Sequence, residues 1–133
     1  MFPNSKITAI ARMPAGGPSA PGAVMTVAFE LDGDKFTALN GGPHHSFTPA
    51  VSFVISCKDQ AEVDHYWDRL SEGGKPNVCG WLADRYGLSW QVVPTRLVEL
   101  LTSGDKAKAG RVMGAMMQMA KIDIAGLETA AAG

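Results

Sequence analysis

This chain is short of several things, and each shortage excludes something. Its 133 residues include two cysteines, Cys57 and Cys79, too few for a disulfide framework. Two free thiols fit a reducing compartment, so a cytoplasmic protein is expected. Charge is sparse, at 19% of residues, and balanced, with 12 Lys+Arg against 13 Asp+Glu and a formal net charge of −1. Without a basic stripe or cluster the chain has no nucleic-acid footprint. No apolar run approaches the ~20 residues of a membrane span. The opening, MFPNSKITAI, lacks the charged start and apolar centre of a signal peptide. What remains is an apolar fraction of 46%, ordinary for a folded protein. The length suits a single domain, 1–133, with one core.

Hydrophobic alternation places strands at 5–13, 23–31, 35–40 and 50–57. The first two are separated by PAGGPSAPG at 14–22, where proline and glycine exclude regular structure. Asp32-Gly33 between the next two is a hairpin signal. GGPHHSFT then makes a second loop. A helix is expected over 59–72: Asp59 and Glu62 form a capping pair, and Val63, Tyr66, Trp67 and Leu70 share one face. Gly73-Gly74 ends it and Pro76 prevents its resumption. Two short strands follow at about 78–83 and 88–93, turning at Tyr86-Gly87. The tail reads as helices over 95–102, 105–120 and 123–131. The fold class is therefore α+β, a sheet covered on one face by helices.

The stretches FPNSKI at 2–7, ALNGGP at 38–43, YWDRLSEGG at 66–74, CGWLADRYGLSWQVVP at 79–94 and RVMGAMMQMAKIDI at 111–124 carry a resemblance. They resemble the PhnB-like branch, labelled 3-demethylubiquinone-9 3-methyltransferase domain, of the vicinal-oxygen-chelate superfamily that includes glyoxalase I, bleomycin-resistance proteins and extradiol dioxygenases. The resemblance implies antiparallel βαβββ modules of the glyoxalase/bleomycin-resistance type. A partial first module would occupy 1–42, a second module 43–94, and C-terminal helices 95–133. Family members begin with a strand and a helix before the FPNSKI segment. The first module is thus expected to be incomplete by roughly 25 residues, one strand and one helix with connections.

The superfamily's enzymes hold a divalent cation with His and Glu on strands of both modules. At the position where a Trp-Glu pair is common this chain has Trp90-Gln91. A neutral amide suits a hard cation less than a carboxylate does. Asn40 stands at the matching strand of the first module, and Ser52 where a histidine could sit. No metal and no other cofactor is therefore expected. His44-His45 reads as a surface loop, and His65 as a solvated residue beside Asp64 and Asp68. Met113, Met116 and Met117 fall on one helix face, suited to core or dimer contact.

The expected pocket is built by Asn40, Cys79, Trp81, Trp90 and Gln91. Cys79 has no histidine nearby in sequence and reads as a small buried hydrophobe lining the pocket. Trp81 and Trp90 lie on facing strands, and indoles are common in pocket walls. Gln91 points away from the face of Trp90, and we place Gln91 on the concave side. Cys57 and Trp67 read as core. No catalytic residue is identifiable. The Gly-rich stretches do not lie between a strand and a helix start, so the methyltransferase label gains no support from a nucleotide-type turn.

Two functions follow. One is a small-molecule-binding protein or metal-independent enzyme of the superfamily. The alternative is a metal-dependent lyase, isomerase or dioxygenase of the same superfamily, or, as the family label alone says, a methyltransferase. The expected partners are a small-molecule ligand and a second copy of the chain in a homodimer, with neither nucleic acid nor membrane.

Overall fold

The computed structural model describes residues 1–133. They divide into two compact units, 1–46 and 47–133. The first unit is a three-stranded antiparallel sheet in the order β1 (Lys6–Arg12), β2 (Val24–Leu31), β3 (Asp34–Leu39). It contains no helix. The β2–β3 turn is made by Asp32 and Gly33 at φ 49° and 91°, the left-handed pair that a tight hairpin demands. Phe29 and Phe36 face each other across the strands and stack at 5.5 Å. Every β2 residue is half-buried.

The second unit runs β4 (Ser52–Cys57), α1 (Gln60–Ser71), β5 (Lys75–Pro76), β6 (Trp81–Ala83), β7 (Ser89–Pro94), α2 (Thr95–Leu101), α3 (Lys106–Met116) and α4 (Ile124–Ala132). This is the α+β βαβββ plan with C-terminal helices. The sheet order is β4-β7-β6-β5. The sheet is mixed, whereas the resemblance implied antiparallel modules. β4 and β7 run parallel, Val54 beside Gln91 and Ile55 beside Val92, because α1 carries the chain across and back, and such crossovers set parallel neighbours.

Helix α1 is capped as its residues dictate. Asp59 accepts from the Glu62 amide at 2.9 Å, and the Glu62 carboxylate accepts from the Lys58 amide at 2.9 Å. Its face of Val63, Trp67 and Leu70 is buried. It packs on β7, β6 and β4, whose Leu82, Trp90, Val92, Ile55 and Cys57 are likewise buried. A second core joins the C-terminal helices through Leu97, Leu100, Val112, Ile122 and Leu127.

The largest boundary differences from the sequence reading are at β6 and α3. β6 begins at Trp81, since Val78–Gly80 bulges out of the ladder, although the Gly80 carbonyl still accepts from the Val92 amide at 2.8 Å. The amides of Cys79 and Gly80 donate instead to the carbonyls of Met119 (2.7 Å) and Ala120 (2.8 Å). Both residues have positive φ, and a Cβ on Gly80 would lie 2.8 Å from the Val92 carbonyl oxygen, so only glycine fits there. Helix α3 stops at Met116, with Met117 as its C-cap, rather than reaching 120. The turn this creates brings Met116 and Met119 onto the helical core and leaves Met113 and Met117 exposed.

The β6–β7 hairpin depends on one carboxylate. Asp84 accepts from the amides of Tyr86 (2.9 Å) and Leu88 (3.0 Å) with Oδ1, and from the Trp90 indole N–H (3.0 Å) with Oδ2. Removing it undoes the turn and strands a buried indole donor. Hydrogen bonds to charged groups contribute about 1.5–3 kcal/mol each in favourable settings, and these are half-exposed. Asp84→Ala is expected to cost about 2–4 kcal/mol. Asp84→Asn, which can keep the turn or the indole bond but not both, should cost less. Denaturant unfolding measures both, and an Asp84→Ala loss under 1 kcal/mol would show that the hairpin stands without it.

Candidate functional site

The sheet of the second unit has two unlike faces. Helix α1 covers the one bearing Leu82, Trp90 and Val92. The other is set out by register. Trp81 lies opposite Gln91, and Gln91 beside Val54. In the next row Lys75 lies opposite Ala83, Ala83 opposite Ser89, and Ser89 beside Ser52. Registered residues share a face and alternate residues return to it. Lys75, Ala83, Ser89, Ser52, Trp81, Gln91 and Val54 therefore form one two-row surface. Val54 is 58% exposed, and Trp81 and Gln91 are half-buried. Gln91 donates its amide N–H to Ser52 Oγ at 2.9 Å. A cleft of about 360 Å3 opens at the β5–β6 edge of this surface, lined by Lys75, Trp81, Ala83 and Ser89 together with Pro49, Asn77, Gly87 and, from the other face, Pro76 and Leu82; Gln91, Ser52 and Val54 do not line it.

The residues expected to line a pocket are thus only partly brought together. Trp81 and Gln91 are direct neighbours on the uncovered face. Trp90 is on the opposite face, 8% exposed, tilted against Phe53 at 5.4 Å and bonded to Asp84. Strand alternation puts it there: it is one residue from Gln91. Cys79 is half-buried in the bulge before β6, with its backbone tied to Met119. Asn40 belongs to the first unit, is exposed, and donates to the Val24 carbonyl at 3.2 Å. Sequence reasoning missed Lys75, Ala83 and Ser89. Only the two-residue strand β5 and its register give Lys75 a place on this face, and a two-residue strand leaves no periodicity to read.

Within either unit no three His, Cys, Asp or Glu side chains come together. His65 is exposed and meets Tyr66 edge-on at 5.1 Å. No helix is long and apolar enough to cross a membrane. The Gly-rich loops join β1 to β2, β3 to β4 and α1 to β5. None opens a helix, so the phosphate-cradling turn of a doubly wound nucleotide-binding fold is missing.

These features define a βαβββ sheet with one helix-covered and one open face. The chain belongs to the 3-demethylubiquinone-9 3-methyltransferase family, whose model matches residues 1–93. It is similar to the PhnB protein of Bacillus cereus, described as a 3-demethylubiquinone-9 3-methyltransferase. The two are 30% identical over 70% of this chain and 81% of that one, with a TM-score of 0.64. A Pseudomonas aeruginosa protein of known structure shares the fold at 17% identity, over 67% of this chain and 77% of that one, with a TM-score of 0.53. No curated protein matches.

Cys57 is the more constrained thiol. Burial first, then the Glu62 and Asp59 carboxylates, push its pKa from 9.0 up to about 11. A thiolate is the reactive form, so Cys57 should resist alkylation in the folded chain at neutral pH and react once the chain is unfolded. Mass spectrometry after brief iodoacetamide treatment, native against denatured, reads this directly; rapid native labelling of Cys57 would contradict it. A folded pKa above the unfolded one also fixes a sign. The stability Cys57 lends is fully present below about pH 9 and is lost as pH rises towards about 11.

Proposed function

We propose that this chain is a small-molecule-binding protein, or a metal-independent enzyme, of the vicinal-oxygen-chelate superfamily, working in the cytoplasm. The observation that carries the reading is the placement of Trp81 beside Gln91 on the uncovered sheet face, next to a cleft of about 360 Å3. That volume falls within the 300–1,000 Å3 of small-molecule sites. The surface offers an aromatic wall, an amide and two hydroxyls. Such groups hold and orient a ligand, whereas a metal-dependent lyase, isomerase or dioxygenase would call for carboxylates or imidazoles there. The family's methyltransferase label draws no support from the helix-opening turns.

The test is a fragment soak paired with calorimetry. Aromatic fragments are expected in contact with Trp81 or Gln91, and Trp81→Ala should weaken them about two- to twelvefold, matching the 0.5–1.5 kcal/mol of an aromatic contact. Fragments found only on α2–α4, with affinities indifferent to Trp81→Ala, would refute the assignment.

A second copy of the chain completes the proposal. The first unit is a bare sheet on which Ile7 and Leu39 are 64% and 69% exposed, and unpaired strand edges invite partners. Analytical centrifugation at micromolar concentration should find two chains per particle. A monomer whose melting temperature is unchanged on dilution would end this part of the reading.

A further inference from the structure

The cleft beside Trp81 carries one cation and no anion. Of its lining residues, Lys75 alone is charged. Four other cations of this unit meet carboxylates: Lys58 meets Glu62, Arg85 meets Glu72, Arg96 meets Glu99 and Glu128, and Lys121 meets Asp64 and Asp68, while Arg111 donates to the carbonyls of Ala130 and Ala131 instead. Lys75 has no such partner. Its position is fixed by pairing. Lys75 lies opposite Ala83, two residues from Trp81, so its side chain leaves the sheet on the Trp81 face. Between the indole and the ammonium-bearing edge strand the floor is small, Ala83 and Ser89. Small floor residues leave room for a flat group against the indole. Asn77 also lines the cleft, its Oδ1 already engaged by the Val78 amide at 2.8 Å, which leaves its amide N–H groups as donors.

We propose that this cleft selects planar aromatic anions, with aromatic carboxylates as the representative class. The ring lies over Ala83 and Ser89 against Trp81, and the anionic group meets Lys75. This deepens the reading of the open face as a small-molecule site and rests on it. A neutral ring gains the stacking contact alone, whereas an anion gains the unpaired cation as well. Lys75 is exposed, so the gain is that of a solvent-screened pair, about two- to fivefold at low salt, declining as salt shortens the Debye length.

The test compares 2-naphthoate with 2-naphthamide on the full chain by calorimetry or ligand-observed NMR. The carboxylate should bind about two- to fivefold tighter at low salt. Lys75→Gln should abolish that preference, bringing the two compounds to equal affinity, and Lys75→Arg should retain it. Both compounds should weaken in Trp81→Ala. Equal binding of the two compounds, with Trp81 dependence intact, overturns the anion selectivity and spares the site. A preference that survives in Lys75→Gln does the same. Binding of neither compound, or binding indifferent to Trp81→Ala, overturns both.

Discussion

The parallel pairing of β4 with β7 is the constraint from which the second unit follows. Parallel neighbours cannot be joined by a tight turn, so the chain must cross over the sheet. It does so with α1, whose apolar stripe of Val63, Trp67 and Leu70 then has one place to go, the face bearing Leu82, Trp90 and Val92. One helix covers one face. The opposite face keeps Trp81, Gln91, Val54 and Lys75, and the candidate site is a consequence of that asymmetry. The C-terminal helices reach only its Val93 end, because they are pinned at that edge. The segment 119–123, between α3 and α4, is stitched to the bulge at Cys79–Gly80 through backbone bonds. It is stitched to α1 through Gln60, which donates to the Ile122 carbonyl and accepts from the Ile124 amide. Lys121 adds a bridge to Asp64 at 2.9 Å, a contact that holds the Asp64 carboxyl below its usual range.

Local rules made much of this legible beforehand. Asp32-Gly33 announces its hairpin because few residues tolerate the left-handed region, and Asp59 with Glu62 announces the start of α1 because the pair satisfies amides that a helix end leaves open. Alternation told that Trp90 and Gln91 face opposite ways; the choice of Gln91 for the concave side came from the resemblance, since it stands at the family's Trp-Glu position. What stayed hidden was set by tertiary partners. The bulge at Cys79–Gly80 exists because carbonyls 40 residues away in sequence take its amides, and no window around Cys79 contains them. Lys75 sits beside Pro76 after a double glycine, a context that reads as loop. Its place in the site comes from pairing across to Ala83.

Trp90 shows how a plausible pocket residue becomes a structural one. An indole needs an apolar bed and one acceptor. Asp84 supplies the acceptor from the same hairpin, and the same carboxylate also closes the turn that aligns Trp81 with Gln91. The site therefore depends on a residue that lines none of it. A change at Asp84 would disturb the Trp81–Gln91 pairing through register, since a one-residue slip in a strand moves every side chain to the other face.

The helix ends narrow the chemistry further. Anionic groups of nucleotides are commonly received at open helix N-termini, where free amides and the macrodipole attract negative charge. Here three of the four helix starts are already occupied by their own carboxylates. Asp59 accepts from the α1 amide of Glu62, Asp105 from the α3 amide of Lys108, and Asp123 from the α4 amides of Ala125 and Gly126. The Lys108 amide bond accordingly holds the Asp105 carboxyl below its usual range. The fourth start, after Pro94, opens a helix of seven residues at the end of a strand with no glycine-rich turn before it. A phosphate approaching α1, α3 or α4 would meet negative charge where nucleotide-binding folds present bare amides. Recognition of an anion by this unit then falls to side chains, and among cations lining the open-face cleft that role falls to Lys75. The family's name describes transfer of a methyl group; the residues of this fold describe a shallow, aromatic, singly cationic surface.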